Sequence, residues 1–384
     1  MKINRIVVAL GIASLSSLSY AGGDTIKIGI PIGLSGANSV VAPSVVQSAE
    51  LAAEEINASG GILGKQVELI VADDGSGAVG AQKAFDSLIY EKKVDALISM
   101  ETSAARNAAL PIVSRGKVPY IYTSSYEGHS CNKWMYANGW VPEQMSSSIV
   151  DYLSKTNNAK TFFLIGSDYA FGRGVLKFTK DYIEKIGGTV VGEEYLPMDG
   201  SDWTAIIAKL RSVSPDALIS CTAGGAPNVS LGKQIKSAGI KIPYGNMALD
   251  EGTAKSMGSA AAGLIVAGSY MTTIDSLENR KYLEAMKKKF GDELKTPNDL
   301  SVPQYEAIYA YKAAVEKVGS ADDHKAVIKA LGEVEVTGPR GKTKMDPVGR
   351  HTDLNMFLGQ VQDDGSVKIV ETFKNVSAGT QCKF

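Results

Sequence analysis

In the stretch TSSYEGHSC, residues 123–131, hydroxyl side chains, a carboxylate, a histidine and a cysteine share nine positions. His129 and Cys131, with Glu127 close by, are the raw material of a thiolate nucleophile or of a zinc ligand pair. Either chemistry needs further partners. The chain has three histidines, His129, His324 and His351, far apart, and it contains no GxSxG, HExxH, GxxxxGK[ST] or CxxC pattern. The GRG at 172–174 is too short, and too late after its strand, to be a dinucleotide fingerprint. Catalysis and metal binding are therefore disfavoured and no cofactor is called for. The stretch reads instead as part of a surface that holds a small polar molecule.

The elements that would position such a surface follow a regular alternation. Apolar runs at 25–34, 67–74, 95–100 and 118–123 read as strands, and the periodic stretches 46–57, 81–92 and 105–115 read as helices. Runs apolar on both faces and joined by helices indicate a parallel sheet covered on both sides. The alternation then repeats: strands at 161–168, 189–196, 216–223 and 242–248, helices at 174–187, 204–213 and 228–239, with DALIS occurring at 95–99 and again at 216–220. Two doubly wound α/β units are expected. Helical stretches after residue 270 lack a complete βα repeat and are expected to return to the first sheet, and 354–373 reads as two strands joined by an Asp-Asp-Gly turn.

In open α/β sheets, ligands bind outside the carboxyl ends of the strands. Glu101, Thr102 and Ser103 follow one strand and Thr123, Ser124 and Ser125 another; in the second unit Tyr169 and Phe171, Thr222, and Asp250 with Glu251 fall at the same edge. These are the candidate ligand contacts. The plainer alternative is that the hydroxyls and Asp250 cap helices and that the rings belong to the core. Arg106 is expected to pair with a neighbouring carboxylate at the surface.

Composition narrows the partners. The first 21 residues combine Lys2 and Arg5, an apolar run from Ile6 and a Ser-Tyr-Ala end, the form of a cleaved secretory signal peptide. The chain carries a net charge of −1, and removing those two basic residues leaves −3, a balance that argues against a nucleic-acid partner. The remaining length suits two domains. With three cysteines, one at least stays unpaired. In an oxidising compartment Cys131 could pair with Cys382, leaving Cys221 free; three free thiols is the alternative.

The run LAAEEINASGGILGKQVELIVADDGS (51–76) resembles the type I periplasmic solute-binding proteins of the branched-chain amino acid importer family, and strand order and length agree along the chain. SSYEGHSCNK (124–133), GSDYAFGRG (166–174) and GPRGKTKMDPVGRHTDLNMFLGQV (338–361) are most similar to the branch that binds short-chain amides and urea. The resemblance implies a periplasmic, monomeric protein of two doubly wound α/β lobes joined by a three-strand hinge, closing on a small polar solute and delivering it to a membrane ABC permease. The lobes would be 22–142 with 273–352, and 143–272 with 353–384, crossing near 139–144, 270–276 and 350–356. It implies that Thr102, Ser103 and Thr123 to Ser125 hold a ligand oxygen, that Tyr169 and Phe171 close over it, and that Asp250 or Glu251 meets an ammonium. Two positions depart from the amide and urea branch. Glu101 stands where an aromatic platform is usual and Phe171 where a tyrosine is common, which points away from urea towards an amino acid or an amide- or amine-bearing solute. A receptor that signals to a membrane partner is the alternative role.

Overall fold

The computed structural model describes residues 25–75 and 77–384; the expected leader lies outside the described residues. The first half builds β1 (Ile26–Ile32), α1 (Ala42–Ala58), β2 (Val67–Asp73), α2 (Ala78–Asp86), β3 (Ala96–Ser99), α3 (Ser103–Gly116), β4 (Tyr120–Tyr122) and β5 (Met135–Ala137). Its strands form a parallel sheet in the order β2-β1-β3-β4-β5. β3 and β4 are buried along their whole length and β1 nearly so, which is why they read as unbroken apolar runs.

The second half builds α4 (Pro142–Thr156), β6 (Thr161–Asp168), α5 (Ala170–Lys185), β7 (Thr189–Pro197), α6 (Thr204–Val213), β8 (Ala217–Cys221), α7 (Ala226–Ser237), β9 (Tyr244–Asn246), α8 (Glu251–Met257) and β10 (Ile265–Gly268). These strands are parallel in the order β7-β6-β8-β9-β10, the winding of the first sheet repeated. The chain then forms α9 (Leu277–Phe290), α10 (Ser301–Val318), α11 (His324–Ala330), β11 (Glu335–Gly338), β12 (Gly341–Met345), β13 (Thr352–Val361) and β14 (Val367–Val376). α10 packs along α1 and against β3, so the late helices do cover the first sheet. β13 runs antiparallel to β10 and β14, on the second sheet, with Gly365 at φ +80° in the turn between them.

Local readings shifted in several places; the helix read from 46 begins at Ala42, and α11, β11 and β12 were not read at all. The helix expected at 81–92 ends at Asp86 and continues as a π-helical turn over Ser87–Glu91. The helix expected from 174 starts at Ala170, because Tyr169 already stands in extended backbone at its N-terminus. Strands β5 and β10, with α4, were not legible: the strands are three and four residues long, and α4 hides its apolar stripe among serines.

Candidate functional site

A cavity of about 60 Å³ lies where the carboxyl ends of the two sheets meet. From the first sheet it is lined by Met100 to Ser103 after β3 and by Ser124 and Ser125 after β4; from the second by Tyr169 and Phe171 after β6, Gly224 after β8, and Met247 to Asp250 after β9. Eight of the eleven residues nominated from sequence therefore border one space, Glu101, Thr102, Ser103, Ser124, Ser125, Tyr169, Phe171 and Asp250.

Several of them are also structural. Thr102 is the N-cap of α3, its Oγ1 accepting from the Ala105 N–H at 3.1 Å. Asp250 caps α8: its Oδ1 accepts from the Gly252 and Thr253 N–H groups at 2.8 and 3.1 Å, and its Oδ2 from the Thr253 hydroxyl. Burial nonetheless pushes the Asp250 carboxyl above its ordinary range. Ser103 donates to Glu127 at 2.5 Å. The Ser124–Ser125 loop is pressed from outside by Gly139, where an added Cβ would stand 2.0 Å from the Ser124 carbonyl oxygen, so only glycine lets the chain pass there. Phe171 touches Tyr169 on one side and Trp140 on the other, both with ring centroids 6.1 Å apart.

Three nominated residues stand outside the cavity. Thr123 is fully buried and donates to Gln304 Oε1 at 3.0 Å, bracing α10 against the end of β4. Glu251 accepts from the Thr272 N–H and hydroxyl at 2.8 and 2.7 Å, tying α8 to the segment after β10. Thr222 is buried behind the wall, at the end of β8. Arg106 does pair with a carboxylate, Glu127 at 2.6 Å, but in the interior instead of at the surface: its side chain is fully buried beneath the rings of Tyr122 and Tyr126.

Sequence reasoning missed Trp140 and Asp299, which also line the cavity and are joined to each other, Trp140 Nε1 donating to Asp299 Oδ2 at 2.7 Å. Asp299 Oδ1 accepts from the Ser269 N–H at 2.8 Å and from its hydroxyl, yet burial pushes the carboxyl up to about 6. Behind Ser269 lies Arg340, whose guanidinium donates to Ser269 Oγ at 3.1 Å, to Glu306 at 2.7 Å, and to the backbone and side-chain oxygens of Asn138 at 3.0 Å. The Arg340 carbonyl in turn accepts from Asn355 at 3.1 Å. The Arg340 guanidinium thus ties the segment between β5 and α4 to the segment after β10, and its carbonyl holds β13. Arg340 falls in the GPRG run that carried the resemblance, but nothing local marked its role.

The opening stretch divides accordingly. Ser124 and Ser125 line the cavity, Glu127 holds Ser103 and Arg106, and His129 is exposed, 3.2 Å from Glu143. The structure joins Cys131 to Cys382 in a disulfide and leaves Cys221 free and buried. Tyr126 meets His351 Nε2 just before β13, where burial lowers the imidazole to about 4 and keeps it neutral. The two sheets' layers touch at the rim of the cavity as well. A Cβ on Gly174 of α5 would stand 2.5 Å from the Glu127 Cβ, one on Gly225 would stand 2.7 Å from the Ala37 carbonyl oxygen, and Lys255 donates to Thr296 Oγ1 at 3.1 Å.

Comparison with known proteins agrees with this architecture. Leu/Ile/Val-binding protein homolog 6 of Brucella melitensis biotype 1 is 25% identical over 96% of this chain and 96% of its own length. A solute-binding protein of an ABC transporter from Rhodopseudomonas palustris BisB5, solved with 3,4-dihydroxybenzoic acid, has a TM-score of 0.84 at 24% identity, covering 93% of this chain and 99% of that one. The branched-chain amino acid transporter substrate binding protein LivJ from Streptococcus pneumoniae, solved with isoleucine, has a TM-score of 0.79 at 23% identity, covering 91% and 99%. These likenesses give the type I fold. The family profile described as periplasmic binding protein matches residues 25–366, and the chain belongs to that family.

Proposed function

We propose that the protein is the extracytoplasmic substrate-binding component of an ABC importer. It takes a small polar solute between two lobes, 22–142 with 273–352 and 143–272 with 353–384, and presents it to a membrane permease as a monomer freed of residues 1–21. The observation that carries this reading is a cavity to which the strand ends of both sheets contribute. Only contacts made in the closed form shift a hinge equilibrium, and a site divided between the two halves supplies such contacts.

The cavity limits the solute. At about 10–15 Å³ for one water, a volume of about 60 Å³ has room for roughly five water-sized positions. Isoleucine and 3,4-dihydroxybenzoate, found in the structural relatives, are bulkier. Among the described residues Glu101, Asp250 and Asp299 line the space and no lysine, arginine or histidine does, so N–H donors suit it and a lone carboxylate does not. A short amide, or the smallest amino acids with the ammonium towards the acidic side, fits both limits. Ser124 and Ser125 would donate to the solute's oxygen.

Calorimetric titration with acetamide, urea, glycine, alanine, isoleucine and benzoate tests this. Heat is expected with the small N–H-bearing solutes, and no heat with any of the six overturns the reading. At about 0.5–1.5 kcal/mol for each hydrogen bond, Ser124→Ala with Ser125→Ala should weaken binding by roughly five- to a hundredfold. The melting temperature without solute should stay within a few degrees; a large fall would make the serines structural.

A further inference from the structure

We propose that Gln381 is a positioning residue of the cavity: with the Cys131–Cys382 disulfide it straps the segment after β14 across the Gly128–His129 turn, and that turn keeps the Glu127 carboxylate on Ser103. The loop concerned runs from the cavity to the disulfide. Ser124 and Ser125 line the cavity at one end of it, and Cys131 is bonded to Cys382 at the other. Between them Glu127 accepts from the hydroxyl of Ser103, itself a cavity residue, at 2.5 Å and from Arg106 at 2.6 Å.

The turn next to Glu127 needs support from outside. Gly128 stands at φ +87° and His129 at φ +58°. Glycine takes such a conformation freely, whereas a residue with a Cβ resists it and stays there only where its surroundings fix it. The segment after β14 supplies the fixing. The His129 N–H donates to Gln381 Oε1 at 2.9 Å, and the His129 ring nitrogen Nδ1 lies 3.3 Å from the Gln381 carbonyl oxygen. Gln381 passes so close that a Cβ on Gly128 would stand 2.7 Å from its Oε1. The contact of His129 with Glu143, at 3.2 Å, lies largely in solvent and holds the turn only weakly. Gln381 is itself anchored. Its Nε2 donates to the Ala378 carbonyl at 2.6 Å, the Ala378 N–H donates to Asp353 near the start of β13 at 3.0 Å, and the next residue, Cys382, carries the disulfide. Ala378, Gln381 and Cys382 are at most 5% exposed, so an irregular segment is buried as deeply as the core. Released from it, the turn relaxes, Glu127 loses its aim, and Ser103, Ser124 and Ser125 lose their register around the solute.

The test compares three forms of the whole protein: oxidised wild type, wild type reduced with dithiothreitol, and Gln381→Ala. Reduction breaks the Cys131–Cys382 bond to two thiols, with two electrons and two protons from the dithiol, which closes to its own disulfide; Cys221 is already a free thiol. Reduction lowers the melting temperature whatever the segment does, because a cross-link across a separation of 251 residues restrains the unfolded chain. The deciding readouts are therefore taken well below melting. In both altered forms the amides of 124–131 are expected to exchange hydrogen faster while those of β1 and β3 keep their protection. Affinity for the tightest of the titrated solutes should fall about two- to tenfold in Gln381→Ala, the loss of one hydrogen bond, and at least as much on reduction. Unchanged exchange at 124–131 in Gln381→Ala overturns the strap, and a loosened loop with unchanged affinity overturns the positioning role. If Gln381→Ala fails to fold, the reduced wild type decides both points. The affinity measurement rests on the reading of the cavity as a solute site. If no solute binds, that reading fails while the exchange pattern still decides the strap.

Discussion

Arg340→Met is expected to destabilise the protein by about 3–5 kcal/mol, the usual effect of breaking a buried ion pair from one side. The Arg340 side chain is fully enclosed and its partner Glu306 is 1% exposed, so the variant leaves a carboxylate in the interior with no counter-charge. It also strips donors from Asn138, after β5, and from Ser269, after β10. Removing both charges should hurt less than the sum of the single losses, because the double variant Arg340→Met, Glu306→Leu buries no unpaired ion. Urea unfolding of the four proteins measures this. A single variant within about 1 kcal/mol of wild type would mean that the pair behaves like a surface one. The loss should also deepen with pH. Asp299 is already pushed up to about 6 by burial, against the attraction of Arg340; without the cation its folded value rises further. A raised carboxylate contributes stability that is lost as pH climbs, so that window extends to higher pH in the variant.

The winding was legible because it is a matter of local pattern. Strands buried on both faces leave unbroken apolar runs, and DALIS marks β3 and β8, which occupy the same place in the two sheets. The edge of the site was legible too, since hydroxyls after such runs stand at strand ends. What each hydroxyl does was not. Thr123 and Ser124 are adjacent and chemically alike, yet one is claimed by Gln304, 181 residues away, and the other borders the cavity. Asp250 and Glu251 divide in the same manner: one faces the cavity while capping a helix, and the other holds Thr272. Trp140, Asp299 and Arg340 come from three separate loops, before α4, before α10 and between β11 and β12, and only the assembled fold shows that they form one network. Residue type sets what a group can do, whereas distant chain decides which of those things it does.

Gly174→Ala should weaken solute binding by roughly 5–150-fold without lowering the stability of the solute-free protein. The two effects separate because the substitution has opposite signs in the two states. Gly174 lies within α5, where alanine is favoured over glycine by about 1 kcal/mol, so the open form gains. In the form described here, the new Cβ would stand 2.5 Å from the Glu127 Cβ and 3.7 Å from its Cα. Glu127 cannot swing aside cheaply, because its carboxylate holds Ser103 and the buried Arg106. Overpacking of this kind costs about 1–3 kcal/mol. That penalty falls on the closed form alone, which is the form that binds, and a differential of about 1–3 kcal/mol corresponds to the stated range. Gly225 is a poorer probe, since its φ of +66° would strain any side chain in either state. Calorimetry with the solute, melting curves without it, and small-angle scattering with saturating solute would together decide the matter. Weaker binding, an unchanged or higher melting point and a more extended envelope are expected. Unchanged affinity would mean that closure does not bring Glu127 against α5, and weaker binding with a lower melting point would mean that Gly174 serves the fold and not the hinge.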